Sequence, residues 1–162
     1  MTAAPGPLGA LERLPIADAM RQWLWLYPAV EIVHILGFVL LAGSIAMFDL
    51  RLLGFSRTLP VPALARHLLP WTLGALVLIV PSGLLMFTAH AGDFVANPVF
   101  LLKMGLLFAA GINAAAFHLG PYRSVERWER DRPAPAAARL HAGASLAIWT
   151  GVIACGRLLA YT

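Results

Sequence analysis

LLPWTLGALVLIVPSGLLMFTA, residues 68–89, is a continuous run without a single Asp, Glu, Lys or Arg. About 20 apolar residues, rising 1.5 Å each in a helix, cross the hydrocarbon core of a bilayer. This stretch reaches that length unaided. Working outward, residues 32–48, 104–122 and 140–156 are equally free of formal charge, and helical flanks bring the shorter two to spanning length. Only 12% of the 162 residues are charged and 60% are hydrophobic. Soluble domains carry about 25% charged residues, because they must cover a core with a wetted surface. A transmembrane β-barrel would alternate apolar and polar residues with period two in segments of about ten, and no such alternation occurs.

The expectation is an all-α protein, a four-transmembrane-helix up-and-down bundle with a short N-terminal interfacial helix. Residues 1–26 form an extracytoplasmic N-terminal segment, and 27–162 form the membrane domain. The spans are expected at about 27–49, 65–89, 98–119 and 137–161. Pro15 to Leu26 should hold the interfacial helix, with Ile16, Met20, Trp23 and Leu24 on one side and Asp18, Arg21 and Gln22 facing water. Trp23, Trp25 and Tyr27 then match an aromatic belt at the membrane surface. Pro70 and Pro81 leave two starts open for the second span, one near Ala65 and one near Leu69. Asn97-Pro98 suits a cap followed by the first helical position of the third span. Nothing in residues 1–22 has the basic start and apolar core of a signal peptide.

A formal charge of +4 raises nucleic acid as a partner, but its placement points to lipid. Arg51, Arg57 and Arg66 lie between the first two spans, and Arg123, Arg127, Arg130, Arg132 and Arg139 between the last two. Residues 89–97 contain Asp93 and no Lys or Arg. By the positive-inside rule the arginine-bearing loops are cytoplasmic and both termini lie outside the cytoplasm. Cys155 is the only cysteine, which excludes an internal disulfide and a thiolate metal cluster.

Two polar layers interrupt the apolar blocks. Glu31 and His34 are three apart and share a helix face. With Lys103 and Arg157 they fall in the outer half of the bundle. Pairing Glu31 with either cation would orient the helices; a proton or electron pathway, or a ligand site, is the alternative. The inner layer brings His67, His118 and His141 from three different spans to one level, with Asp49 and Asn113 nearby. Bundle cores draw ligands from facing helices. Two neutral imidazoles suit the axial positions of haem b. His67 with His141 is the first pair by diagonal placement and His67 with His118 the next, while His34 would serve a second, outer haem. Zinc or copper on His67, His118, His141 and Asp49 is the alternative metal reading.

The features also follow an order. Trp25-Leu-Tyr-Pro28 runs into Glu31 and His34, then Asp49-Leu-Arg51-Leu-Leu-Gly54. His67 precedes Pro70-Trp71; Asn97-Pro98, Lys103, Asn113, His118 and finally Gly156-Arg157 follow. This order resembles an uncharacterised bacterial family of small four-helix membrane proteins over nearly the whole chain. It is distantly similar to membrane b-type cytochromes and to copper-resistance membrane domains. The resemblance implies the four-helix topology and adds weight to haem and copper, without naming a substrate.

No P-loop, dinucleotide motif or hydrolytic triad is present, so enzymatic activity is left open. The leading functional expectation is a haem-b electron-transfer protein or redox-complex subunit with a membrane redox partner. A non-catalytic structural or assembly subunit, a homo-oligomer, and a small metal or ion transporter are the other readings. Membrane lipids are the expected surroundings and nucleic acid is not a partner.

Overall fold

The computed structural model of the chain describes residues 6–128 and 132–161; Arg130 lies outside the described residues. The described elements are all helical. They are α1 (Pro7–Glu12), α2 (Pro15–Gln22), α3 (Leu26–Leu53), α4 (Val61–Ala89), α5 (Ala91–Ala96), α6 (Pro98–Leu119), a 3-10 turn (Pro121–Arg127) and α7 (Ala136–Leu158). Three helices, α3, α4 and α6, are long and apolar enough to cross a membrane. This is one fewer than the sequence reading expected. With 23 residues α7 has the length, but Arg139, His141, Ser145, Thr150 and Arg157 dilute its apolar content.

The outward faces of the long helices explain their solvent. Val77 is 71% and Phe108 73% exposed, and Ile32, Leu36, Leu102 and Ile112 are exposed with them. Large apolar side chains in contiguous exposed faces suit hydrocarbon and oppose water.

Packing sets the bundle order. His34 and Gly37 on α3 meet Ser82 and Ile79 on α4, so those helices run antiparallel. Leu106 and Asn113 on α6 meet Gly151 and His141 on α7, again antiparallel. Phe38 and Trp149, whose ring centroids are 5.9 Å apart, join α3 to α7. Thus α4, α3, α7 and α6 follow one another around the bundle, with α4 and α6 barely touching. Gly37 makes the α3–α4 approach close: a Cβ there would lie 2.9 Å from Ile79 Cγ1 and 3.0 Å from Leu78 Cβ.

The two candidate starts of the second span resolve in favour of the earlier side. Helix α4 begins at Val61 and runs through both Pro70 and Pro81. Each proline withholds one helical hydrogen bond, from the carbonyls of Arg66 and Val77 four residues earlier. On the same helix the Thr72 hydroxyl donates to the Leu68 carbonyl, and the Ser82 hydroxyl donates to those of Leu78 and Ile79.

At the end of α3, Gly54 adopts φ +114°, and its amide and that of Phe55 return to Arg51 and Leu50. Only glycine takes that conformation without steric cost. Arg51, read from the sequence as a topogenic charge, is 2% exposed. Its guanidinium donates to the carbonyls of Leu59 (2.7 Å) and Arg57 (2.9 Å), tying down the α3–α4 turn. Around it Leu52, Val61, Phe117, Trp128, Ala134, Ala138 and Ala142 form a buried cluster.

At the opposite end, the helix expected from Pro15 is α2, ending at Gln22, and a second short helix, α1, precedes it. Ala17 and Met20 are buried, but Ile16, Trp23 and Leu24 are exposed and do not join them. Arg21, expected to face water, donates to the Ala89 carbonyl at 3.0 Å and pairs with Asp18. The Glu12 carboxylate accepts from the Gly92 amide at 2.7 Å. These bonds seat the N-terminal segment on the α4–α5 corner. Asn97 caps α6 as expected, accepting from the Val99 amide at 2.9 Å.

Candidate functional site

Because α4 and α6 barely touch, the bundle is open along one side. The resulting cleft has a volume of about 1560 Å³ and is walled by all four long helices. Small residues on α6 leave it unfilled: Ala110, Gly111 and Ala114 line it, and a Cβ at Gly111 would meet no atom within 4 Å. Ligand sites usually enclose about 300–1,000 Å³, so this one has room for a large flat molecule or for two smaller ones.

At the outer end, Glu31, His34, Lys103 and Arg157 all line the cleft. The sequence brought these four to one depth, and the structure places them on one cavity. Among the described residues, no ion pair links them. Arg157 instead lies over the Tyr161 ring, 4.6 Å from its centroid, and donates to that hydroxyl. The Nζ of Lys103 reaches towards Gly156 on α7.

His34 is held firmly. Its Nδ1 lies 3.2 Å from the Ile79 carbonyl and 3.0 Å from Ser82 Oγ. A carbonyl can only accept, and the Ser82 proton is already directed at the carbonyls of its own helix. Nδ1 is therefore the donor, and the neutral ring carries its lone pair on Nε2. Gly83 packs on the same ring; a Cβ there would sit 3.1 Å from His34 Cε1. Phe38, Phe87, Phe94, Phe100 and Trp149 form the surrounding wall, with Phe94 and Phe100 centroids 5.1 Å apart.

At the inner end, Asp49 follows His34 by fifteen positions on α3, about four turns or roughly 22 Å at 1.5 Å per residue. Here Asp49, Asn113, His118, His141 and Ser145 line the cleft. Asn113 donates through its amide to the His141 carbonyl (3.0 Å) and presents its own carbonyl oxygen to His141 Nδ1 (2.8 Å). Again Nδ1 bears the proton and Nε2 the lone pair. His118 stacks edge-on with Phe117 and Tyr122. Asp49 is only 5% exposed, and its Oδ2 has no partner.

His67 is exposed on α4 and lies outside the cleft lining, so the structure brings His118 and His141 to one cavity without it. Among the described residues, no group of three His, Cys, Asp or Glu side chains gathers to hold a metal ion. His90 sits at the α4–α5 corner, 3.7 Å from Asp93. The sequence reading missed Ser82 and Ser145, since a lone serine in an apolar run carries no signal beyond helix packing.

Residues 26–162 match the model of a family of unknown function, DUF6644. No curated protein matches the chain, and no solved structure does.

Proposed function

The chain belongs to DUF6644, and we propose that it is a haem-b-binding membrane electron-transfer protein, or the haem-bearing subunit of a membrane redox complex. His34 carries this reading. It is a cavity-lining imidazole whose Nδ1 is committed to Ile79 and Ser82, leaving Nε2 as the free basic nitrogen. Such a hydrogen bond fixes the tautomer and raises the basicity of a metal-binding ring.

The remaining lining suits the group. The wall carries Phe38, Phe87, Phe94, Phe100 and Trp149, and Lys103 and Arg157 line the same cleft as cations for carboxylate side chains. Bound haem would supply one-electron chemistry. The protein's own part is to orient His34, exclude water with its phenylalanines and neutralise the propionates. His141, with its Nε2 also free, is the second candidate ligand. His118 shares its cavity.

This reading takes α7 as a fourth span, because it packs between α3 and α6 with matching length. The Arg51–Arg66 and Arg123–Arg139 connections then face the cytoplasm of a bacterial inner membrane, with both termini outside. A membrane redox partner would complete the electron path.

Purification of the full chain in mild detergent, haem supplementation and a reduced-minus-oxidised spectrum test the proposal. Soret and alpha bands that His34→Gln abolishes or shifts are expected. Absence of both bands in the wild type overturns haem binding. Bands insensitive to His34→Gln but lost in His141→Gln move the ligand to the inner end. Should no bands appear and a stoichiometric membrane protein copurify, the structural-subunit reading replaces this one.

A further inference from the structure

The inner end of the cleft carries an imbalance of hydrogen-bonding groups. Asp49 is buried with Oδ2 unpartnered, and a buried polar atom without a partner costs about 1–3 kcal/mol. His141 Nε2 is a second acceptor, because Asn113 occupies Nδ1. Of the nearby donors the Asn113 amide serves the His141 carbonyl, while Tyr122 and His118 also line this part of the cleft. With Asp49 as a carboxylate, a guest that donates hydrogen bonds satisfies both acceptors. A simple carbonyl compound offers only acceptors and leaves both groups unsatisfied.

The walls define the rest of the molecule. Phe117 lies at this depth with Phe48, Tyr122 and His141 around it, at centroid separations of 5.8, 5.6 and 6.2 Å. Edge and face contacts of this kind favour an aromatic guest. The open side between α4 and α6 faces the region occupied by lipid, so the molecule would arrive sideways, with an apolar tail left along the cleft.

We propose that the inner end of the α4–α6 cleft is a binding site for the hydroxylated ring of a lipid-soluble quinol, with Asp49 accepting one hydroxyl and His141 within the same polar pocket. The reduced form is selected over the quinone, because only the quinol donates. This site lies roughly 22 Å along α3 from His34, and its argument does not use haem. Where a site is built to bond a hydroxyl, loss of that hydroxyl is strongly discriminated against; at least a tenfold preference is expected.

Decylhydroquinone and its dimethyl ether are the probes, since they share the ring and tail and differ in the two donors. Each is titrated calorimetrically into haem-free full-length protein in detergent micelles. The diol binding at least tenfold more tightly than the diether supports the site. Equal affinity, or no binding of either, overturns it. Asp49→Asn, checked for unchanged helicity and elution volume, should lose most of that preference by replacing an acceptor oxygen with an amide. An undiminished preference in a folded Asp49→Asn protein refutes the assignment to Asp49. Comparison of the two probes on the wild type stands even if the variant fails to fold. A negative calorimetric result leaves the haem spectrum unaffected, so the two readings fail separately.

Discussion

Gly37→Ala tests the closest helix contact in the bundle. The added methyl would lie 2.9 Å from Ile79 Cγ1, 3.0 Å from Leu78 Cβ and 3.2 Å from the Ala75 carbonyl oxygen. Carbon atoms pack best at about 3.5–4.0 Å, so α3 and α4 must separate by several tenths of an ångström there. A Cβ and a backbone oxygen move only with their helix, and rotamer change offers little relief. Overpacking of this kind costs about 1–3 kcal/mol, against about 1 kcal/mol gained in helix propensity. Gly43→Ala is the control: it lies on the same helix, and its methyl would meet nothing within 4 Å. The propensity gain cancels between the two variants, leaving Gly37→Ala less stable by about 1–3 kcal/mol, or roughly 5- to 150-fold in the unfolding equilibrium. Reversible unfolding in mixed micelles of dodecyl sulfate and a mild detergent, followed by far-ultraviolet circular dichroism, measures this difference. Equal stability of the two variants, or greater stability of Gly37→Ala, would refute the close α3–α4 approach on which the cleft geometry depends.

Arg51→Gln should loosen the α3–α4 turn, because the carbonyls of Leu59 and Arg57 lose their buried donor; a cost of about 1–3 kcal/mol and faster proteolysis between residues 54 and 60 are expected, and unchanged protease resistance would count against the staple. In a Cys155→Ala background, Thr58→Cys should react with an impermeant maleimide only from the cytoplasmic face, and Val95→Cys only from the other. Labelling of both from one face would reject the proposed arrangement of spans.

The membrane character of α3, α4 and α6 was legible because lipid selects by composition over a whole turn-by-turn length: any uncharged apolar run of sufficient extent reports it. The expectation that Glu31, His34, Lys103 and Arg157 share a depth rests on a related reason, since position along a helix is a fixed rise per residue, and all four line the cleft. Rotation about each helix axis was not. His67 and His141 fall at similar depths in the sequence, yet His67 is exposed on α4 while His141 lines the cleft. Nor could the charge of Arg51 reveal that it is buried beneath a turn, because a loop arginine has the same letter whether it meets water or carbonyl oxygens.

By itself, then, the sequence determined that apolar helices dominate the chain, where the arginine-rich connections fall, and which polar residues share a level. Tertiary structure decided which helices touch. Gly37 draws α3 onto α4, while Ala110, Gly111 and Ala114 leave the space beside α6 unfilled. It also decided the hydrogen-bonding state of the buried groups, committing Nδ1 of His34 and His141 and leaving Asp49 Oδ2 without a partner. These outcomes depend on side chains from separate helices meeting within about 3 Å, a condition set by packing across the bundle rather than by periodicity along one strand of it.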